Sequence, residues 1–301
     1  MAVARPDWIT LGTAALGMDY GVVAPTKRPS DATVQALLDR AWTLGVRSID
    51  TARAYGDAET RIGAWSKRSG HAPFIVTKIP ALPDQFEETF IKRSLQASLT
   101  ALGVGRVELC LLHRAGDLLR PCVAKQLREL TSEGLIGGFG VSAYEKDEIG
   151  AALEVEGVAA LQAPASLLDR RLIDSGLFAR ARAQGVLVFA RSIFLQGVLF
   201  VAPHQLPPFL RPLAPTLARL RALVERSGLS LAALSLASLR ASGEIDSLVI
   251  GATSAEEIEA NVRFSNVPID SAIIEEACAA VNIDQLSLLD PRYWPAPVVI
   301  S

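Results

Sequence analysis

Four side chains in the first half of the chain have the right types to do chemistry together: Asp50, Tyr55, Lys78 and His113. Three of them close short apolar runs, SID, FIVTK and LCLLH, and Tyr55 follows the first run by five residues. A tyrosine hydroxyl, with an ordinary pKa of about 10, is a poor acid at neutral pH, but a nearby ammonium favours the phenolate and eases the loss of its proton. Lys78 would supply that ammonium, Asp50 would hold Lys78 in place and charged, and His113 would orient a carbonyl or assist the proton transfer. Such a set suits the reduction of C=O by a hydride and a proton. Each residue alone also has an ordinary reading: a helix cap for Asp50, packing for Tyr55, snorkelling for Lys78, a hydrogen-bonded core position for His113. Only their convergence on one rim would set them apart from those readings.

Convergence requires elements that bring them to one rim. Strands are expected at Ile9–Gly12, Arg47–Asp50, Phe74–Lys78, Val107–His113, Gly137–Val141, Ala159–Ala163, Val186–Arg191 and Ser247–Ile250. Between them lie helix-period segments. In Asp31–Leu44, Val34, Leu37, Leu38 and Ala41 recur at helical spacing behind a Ser30 cap, and Ile91, Leu95, Leu99 and Leu102 repeat the pattern. Runs such as VELCLL lack polar alternation, as expected of a parallel sheet covered on both faces. Eight strand-helix units in a chain of 301 residues predict an α/β fold, a (β/α)8 TIM barrel forming one domain over residues 1–301, with its chemistry at the C-terminal ends of the strands. A doubly wound sheet is the runner-up. It usually carries G-x-G-x-x-G after the first strand, where this chain has GTAALGMDYG.

Composition removes other classes. Half the residues are apolar and 21% are charged, which excludes disordered and collagen-like chains. The net charge of -2, with no basic run, argues against nucleic acid as a partner. MAVARPDWIT has no signal-peptide apolar region and no window offers eighteen uninterrupted apolar residues, so a soluble, cytoplasmic protein without a membrane partner is expected. Cys110, Cys122 and Cys278 lack the spacing of a disulfide framework or zinc site and read as buried thiols. His71 and His204 read as solvated loop residues, and no metal is expected. The proline-rich Pro203–Pro215 reads as a long loop with a functional role.

The segment SIDTARAYGDAETRIG, residues 48 to 63, resembles the D-T-A-x-x-Y-G-x-x-E-x-x-x-G signature of the aldo-keto reductase superfamily. Supporting matches follow in order: VTK at 76–78, LLH at 111–113, EGLIGGFGVS at 133–142, LQAPASLLDRR at 161–171, ARSIFLQG at 190–197 and VIGATSAEEIEANV at 249–262. The resemblance implies a (β/α)8 barrel that binds an extended nicotinamide dinucleotide, NAD(P)H, without a Rossmann motif. It implies Tyr55 as general acid or base, tuned by Asp50 and Lys78, with His113 positioning the carbonyl. Ser142 and Gln162 match residues that hold the nicotinamide carboxamide, while Ala143 replaces the usual Asn, so one contact is lost or replaced. Arg191 stands where the family often stacks an aromatic ring on nicotinamide. Ser192, Leu195, Gln196 and Gly197 fall where a loop wraps the pyrophosphate. Asn261 matches an adenine contact. Ser254 and Thr253 lie at a helix N-terminus, a ready anion site. Gly251 and Glu257 occupy positions where NADPH-preferring relatives commonly carry Lys or Arg, so acidic Glu257 tilts the expectation toward NADH, with NADPH left open.

The loops around the four reactive residues nominate Tyr20, Arg53, Arg114, Tyr144 and Phe194 as substrate contacts. Most are polar or charged, which favours a hydroxylated or acidic carbonyl or alcohol, such as a sugar derivative. Two other readings use the same barrel. One is a cofactor-sensing regulatory subunit, as the potassium-channel beta subunits of the superfamily imply by resemblance; the other is a Schiff-base aldolase with Lys78 as nucleophile. The C-terminal DPRYWPAPVVIS either covers the pocket or packs on the barrel, and the sequence gives no oligomeric state.

Overall fold

Ser30 opens the first long helix: its hydroxyl accepts from the Thr33 N–H, and Asp31 in the first turn faces the positive end of the helix dipole. The helix runs Asp31–Thr43 and buries Val34, Leu37, Leu38 and Ala41, the stripe expected from the sequence. Phe90–Leu102 likewise buries Ile91, Leu95, Leu99 and Leu102 and stops at Gly103 in the left-handed conformation. These helices belong to a computed structural model that describes residues 3–21 and 26–295.

Eight strands close into a barrel in sequence order: β1 Ile9–Gly12, β2 Ser48–Asp50, β3 Phe74–Ile79, β4 Val107–Leu112, β5 Ile136–Ser142, β6 Val158–Pro164, β7 Leu187–Arg191 and β8 Ser247–Gly251. Every neighbouring pair is parallel, and β1 closes the ring against β8 with Gly12 beside Gly251. The (β/α)8 expectation is met, with strand limits within a residue of those read from the sequence.

Alternation along the strands sorts the side chains. On β4, Leu109 and Leu111 join Val76, Ala160, Leu187 and Phe189 in one cluster, while Cys110 and Leu112 enter the larger core that includes the helix residues Val34, Leu37, Ile91 and Leu95, as does Val107 at the first residue of the strand. Burying each such leucine contributes roughly 1.5–3 kcal/mol. The same alternation on β3 sends Lys78 to the side of Val76, away from Ile75 and Ile79. A third cluster, from Leu167 to Trp294, sits beneath the connection from β7 to β8.

Three sequence expectations are corrected. The stretch Pro203–Pro215 is not an open functional loop: it folds into the 3-10 turns Pro203–Gln205 and Pro208–Leu213 and the start of helix Ala214–Ser227, and Leu206, Leu210 and Leu213 bury themselves in the third cluster. Of the cysteines only Cys110 is buried, its thiol pushed up to about 12 by desolvation; Cys122 is exposed and Cys278 half-buried. His71 is half-buried and not freely solvated, its ring stacking on Trp42 at 4.2 Å and an 11° interplanar angle; His204 is exposed, as expected. At the C-terminus Trp294 packs in the third cluster and donates to the Ser287 carbonyl at 3.0 Å. Residues 296–301 lie outside the described residues. Among the described residues no single helix is long and apolar enough to cross a membrane.

Candidate active site

Asp50 ends β2 and Lys78 lies one residue before the end of β3, so adjacent parallel strands bring both to the C-terminal mouth of the barrel. The Lys78 ammonium donates to both carboxylate oxygens of Asp50, at 2.6 and 2.7 Å, and to the Thr51 carbonyl at 3.0 Å. Gln162, on β6 across the barrel, donates to the same carboxylate at 2.7 Å. Thr13, which the sequence reading missed, donates its hydroxyl to the Asp50 carbonyl at 2.9 Å. Asp50 and Lys78 are 3% and 1% exposed. Burial opposes the ammonium, but Asp50 and Tyr55 outweigh it and hold the Lys78 pKa above its ordinary value.

Tyr55 stands beside this pair on the loop after β2. The loop is fixed by close backbone approach: a Cβ on Gly17 would lie 1.9 Å from the Tyr55 carbonyl oxygen, and one on Gly56, whose φ is +57°, would lie 2.1 Å from the Gly17 oxygen. The Tyr55 ring meets His113 edge-on at 5.8 Å and 85°, and the Lys78 ammonium is 5.0 Å from its centroid. His113 follows β4, its backbone N–H donating to the Ile79 carbonyl. All four expected residues therefore meet.

Their electrostatics depart from expectation in one respect. The Lys78 charge does lower the Tyr55 pKa, but burial raises it more and Asp50 adds to the rise, so the hydroxyl sits above its ordinary value. Tyr55 is thus a retained proton, not a ready phenolate. Burial, with the Lys78 charge second, pushes His113 down to about 4, leaving the imidazole neutral at physiological pH. Nor is Lys78 suited to Schiff-base formation: the charged amine is bound on three sides and its side chain is 1% exposed.

Above the four lies a cavity of about 600 Å³. Asp50, Tyr55 and His113 line it, as do Ser142, Gln162, Arg191, Ser192, Gln196, Gly197, Gly251, Thr253, Glu257 and Asn261. Two expected cofactor residues do not reach the wall. Leu195 is buried in the third core cluster, and Ser254 is the N-cap of helix Ala255–Ser265, its hydroxyl accepting from the Glu257 N–H. Glu257 accepts in turn from the Thr253 N–H at 2.7 Å and hydroxyl at 3.0 Å. The backbone after β7 is strained, with Ser192, Leu195 and Gln196 at φ of 60°, 47° and 51° before Gly197 at 86°. A Cβ on Gly251 would meet nothing within 4 Å. Ala143, at the usual Asn position, is fully buried, and its carbonyl accepts from Arg191 at 3.2 Å.

Of the expected substrate contacts Tyr20, Tyr144 and Phe194 line the cavity, while Arg53 and Arg114 do not. Arg53 turns to Glu59 at 3.5 Å, and Arg114 is held by Asp117 and the Leu82 carbonyl, both at 2.6 Å. A carboxylate within reach gives an arginine its strongest partner. Ile193, Phe200 and Pro291 also line the cavity, unread from the sequence. The Tyr144 ring lies between two guanidinium groups, Arg191 at 3.9 Å and Arg292 at 3.5 Å from its centroid. Among the described residues no three of His, Cys, Asp and Glu stand together as metal ligands.

The family model for the aldo/keto reductase family matches residues 8–281. The chain is similar to the aldo-keto reductase str7 of Strobilurus tenacellus, 33% identical over 200 residues, covering 63% of this chain and 58% of that protein. It is also similar to D-arabinose 1-dehydrogenase of Saccharomyces cerevisiae, 28% identical over 152 residues, covering 47% and 44%. The chain spans about half the length of these curated relatives. Among solved structures an aldo-keto reductase from Bacillus halodurans in its holo form superposes with a TM-score of 0.77, covering 94% of each chain at 22% identity. That likeness concerns the fold alone.

Proposed function

The chain belongs to the aldo/keto reductase family, and from that premise we propose that it transfers a hydride between a nicotinamide dinucleotide and the carbonyl or alcohol carbon of a small metabolite. One observation carries the reading: a neutral Tyr55 hydroxyl and a neutral His113 face one cavity with the buried Lys78–Asp50 pair beside them.

The residues fit the cofactor. An extended dinucleotide needs polar groups spread along a trough, and Ser142, Gln162, Ser192, Gln196 and Asn261 are spread that way, with open space at Gly251 and a strained loop at 192–197. Ser142 and Gln162 would hold the nicotinamide end and Asn261 the adenine end. When bound, the dinucleotide supplies or accepts the hydride. The chain itself handles the proton: Tyr55 holds it at its hydroxyl until negative charge develops on the substrate oxygen, and the Lys78 charge then eases its departure. The neutral imidazole of His113 would accept or donate one hydrogen bond to that oxygen, fixing its direction. Asp50 and Gln162 keep Lys78 from turning away.

We infer NADH as the preferred form, because the exposed Glu257 carboxylate sets negative charge at the far end of the cavity, where a 2'-phosphate would be repelled. The substrate class we infer is a hydroxylated carbonyl. Tyr20, Tyr144 and Arg191 on the wall support it, and D-arabinose 1-dehydrogenase, a relative, bears a sugar in its name.

Purified protein should bind NADH, read by quenching of its tryptophans, and reduce an aldose or another hydroxylated aldehyde. Tyr55→Phe should keep cofactor affinity within about threefold and lower turnover by about 10²–10⁴. Absence of binding to either dinucleotide would refute the reading.

A further inference from the structure

Arg191 closes β7 and lines the cavity, yet among the described residues no carboxylate answers its charge; its polar contact is the 3.2 Å bond to the Ala143 carbonyl. Four other basic groups at this end of the barrel sit in ion pairs. Lys78 faces Asp50, Arg53 faces Glu59, Arg114 faces Asp117 and Arg171 faces Asp169. Arg292, on the opposite face of Tyr144, is answered by Asp290 at 2.5 Å and Glu145 at 3.0 Å. The stack Arg191–Tyr144–Arg292 thus leaves its cavity-side cation without an anion.

That position is close to the reacting groups: the Arg191 charge is felt at both Tyr55 and His113. Arg191 is half-buried and its guanidinium lies over the Tyr144 ring, 3.9 Å from the centroid, so less rotamer freedom remains to be lost when a ligand arrives. A planar fork with free N–H groups in a site of lowered dielectric matches a carboxylate better than any neutral group.

We propose that Arg191 binds a carboxylate on the carbonyl substrate, and that Tyr144 is a positioning residue that holds the guanidinium toward the cavity. This rests on the oxidoreductase reading and narrows its substrate to an oxo or hydroxy acid, such as a uronic acid or a semialdehyde acid.

Two matched pairs differ chiefly by the carboxylate: D-glucuronate with D-glucose, and succinate semialdehyde with butanal. The wild-type protein should favour the acid in each pair by about 10–100-fold in kcat/KM, the range of a charge-assisted hydrogen bond. Arg191→Gln should bring the ratio near one, whatever its absolute rates, and Arg191→Lys should retain part of it. Tyr144→Phe should keep the preference, whereas Tyr144→Leu should raise KM for the acid far more than it changes kcat. Cofactor titration without aldehyde separates the loss of acid preference in Arg191→Gln from any loss of dinucleotide affinity. A wild-type ratio near one, or a ratio unchanged in Arg191→Gln while dinucleotide binding weakens, would overturn the proposal and assign Arg191 to the cofactor instead. If no aldehyde is reduced, the oxidoreductase reading is what fails. Calorimetric binding of D-glucuronate against D-glucose to the NADH-loaded protein then still decides: acid-selective binding that Arg191→Gln abolishes upholds the proposal, and equal binding overturns it.

Discussion

The Lys78 ammonium sits between the two carboxylate oxygens of Asp50, 2.6 and 2.7 Å away, with almost no solvent on either side chain. Breaking such a pair from one side leaves a buried charge without its partner, which costs about 3–5 kcal/mol. Lys78→Met should therefore lower unfolding stability by that amount, read by urea titration at pH 7, and lower carbonyl reduction by about 10² or more through loss of the charge beside Tyr55. A loss under about 1 kcal/mol would mean that the pair is not ionised in the fold.

His113 links stability to pH. Its folded pKa of about 4 lies below the ordinary imidazole value of 6.5. Between those values the unfolded chain takes up a proton that the folded protein refuses, so stability falls as pH drops from about 6.5 to 4 and levels off below. The ceiling is roughly 3 kcal/mol, reduced by the ring's partial exposure. Unfolding measured at pH 7 and pH 4.5 should show a smaller drop for His113→Gln than for the wild type. Equal drops would place an ordinary imidazole at this position.

Glu257 has two duties, facing the cavity and bonding Thr253 through N–H and hydroxyl. Glu257→Arg should improve NADPH affinity relative to NADH by about tenfold, the worth of one new charge-assisted contact. Glu257→Gln, which keeps the acceptor and loses the charge, should move the ratio in the same direction by less. Fluorescence titration of both dinucleotides checks this, and an unmoved ratio in both variants removes Glu257 from cofactor choice.

Gly17→Ala introduces a methyl group where the Tyr55 carbonyl oxygen already stands, at 1.9 Å. The backbone must shift, and Tyr55 with it. Overpacking of this kind costs about 1–3 kcal/mol or more, so the melting temperature should fall and turnover should fall with it, out of proportion to any change in cofactor affinity. A variant with wild-type turnover would show that the loop after β2 tolerates displacement.

What could be read from the sequence follows from range. Asp50, Lys78 and His113 sit at the ends of apolar runs whose period is local, and Val34, Leu37, Leu38 and Ala41 mark their helix by spacing alone, so both were legible. Arg53 and Arg114 were misread because the partners that turn them aside, Glu59 and Asp117, declare themselves only when the backbone gives each side chain a direction. Tyr144 was nominated, but its second guanidinium comes from Arg292, far along the chain, and no local pattern encodes that meeting. The proline-rich segment misled for a related reason: its leucines look like loop residues until the third cluster gives them something to pack on. The sign of the Tyr55 shift was also out of reach, since neighbouring charge can be read from spacing but the depth of burial cannot.

The hydrogen bond from Gln162 to Asp50 joins positions 112 apart in the chain. Tyr55, Lys78 and His113 come from the strands and loops before residue 114, whereas the wall from Ser142 to Asn261 comes after it. In the proposed reading, proton handling thus draws on the first part of the polypeptide and ligand choice, Tyr20 aside, on the second. Exchanges in the second part can then alter binding while Tyr55 keeps its surroundings. Gln162 is where that independence ends, because an exchange there, made to alter binding, would also loosen the carboxylate that keeps Lys78 beside Tyr55.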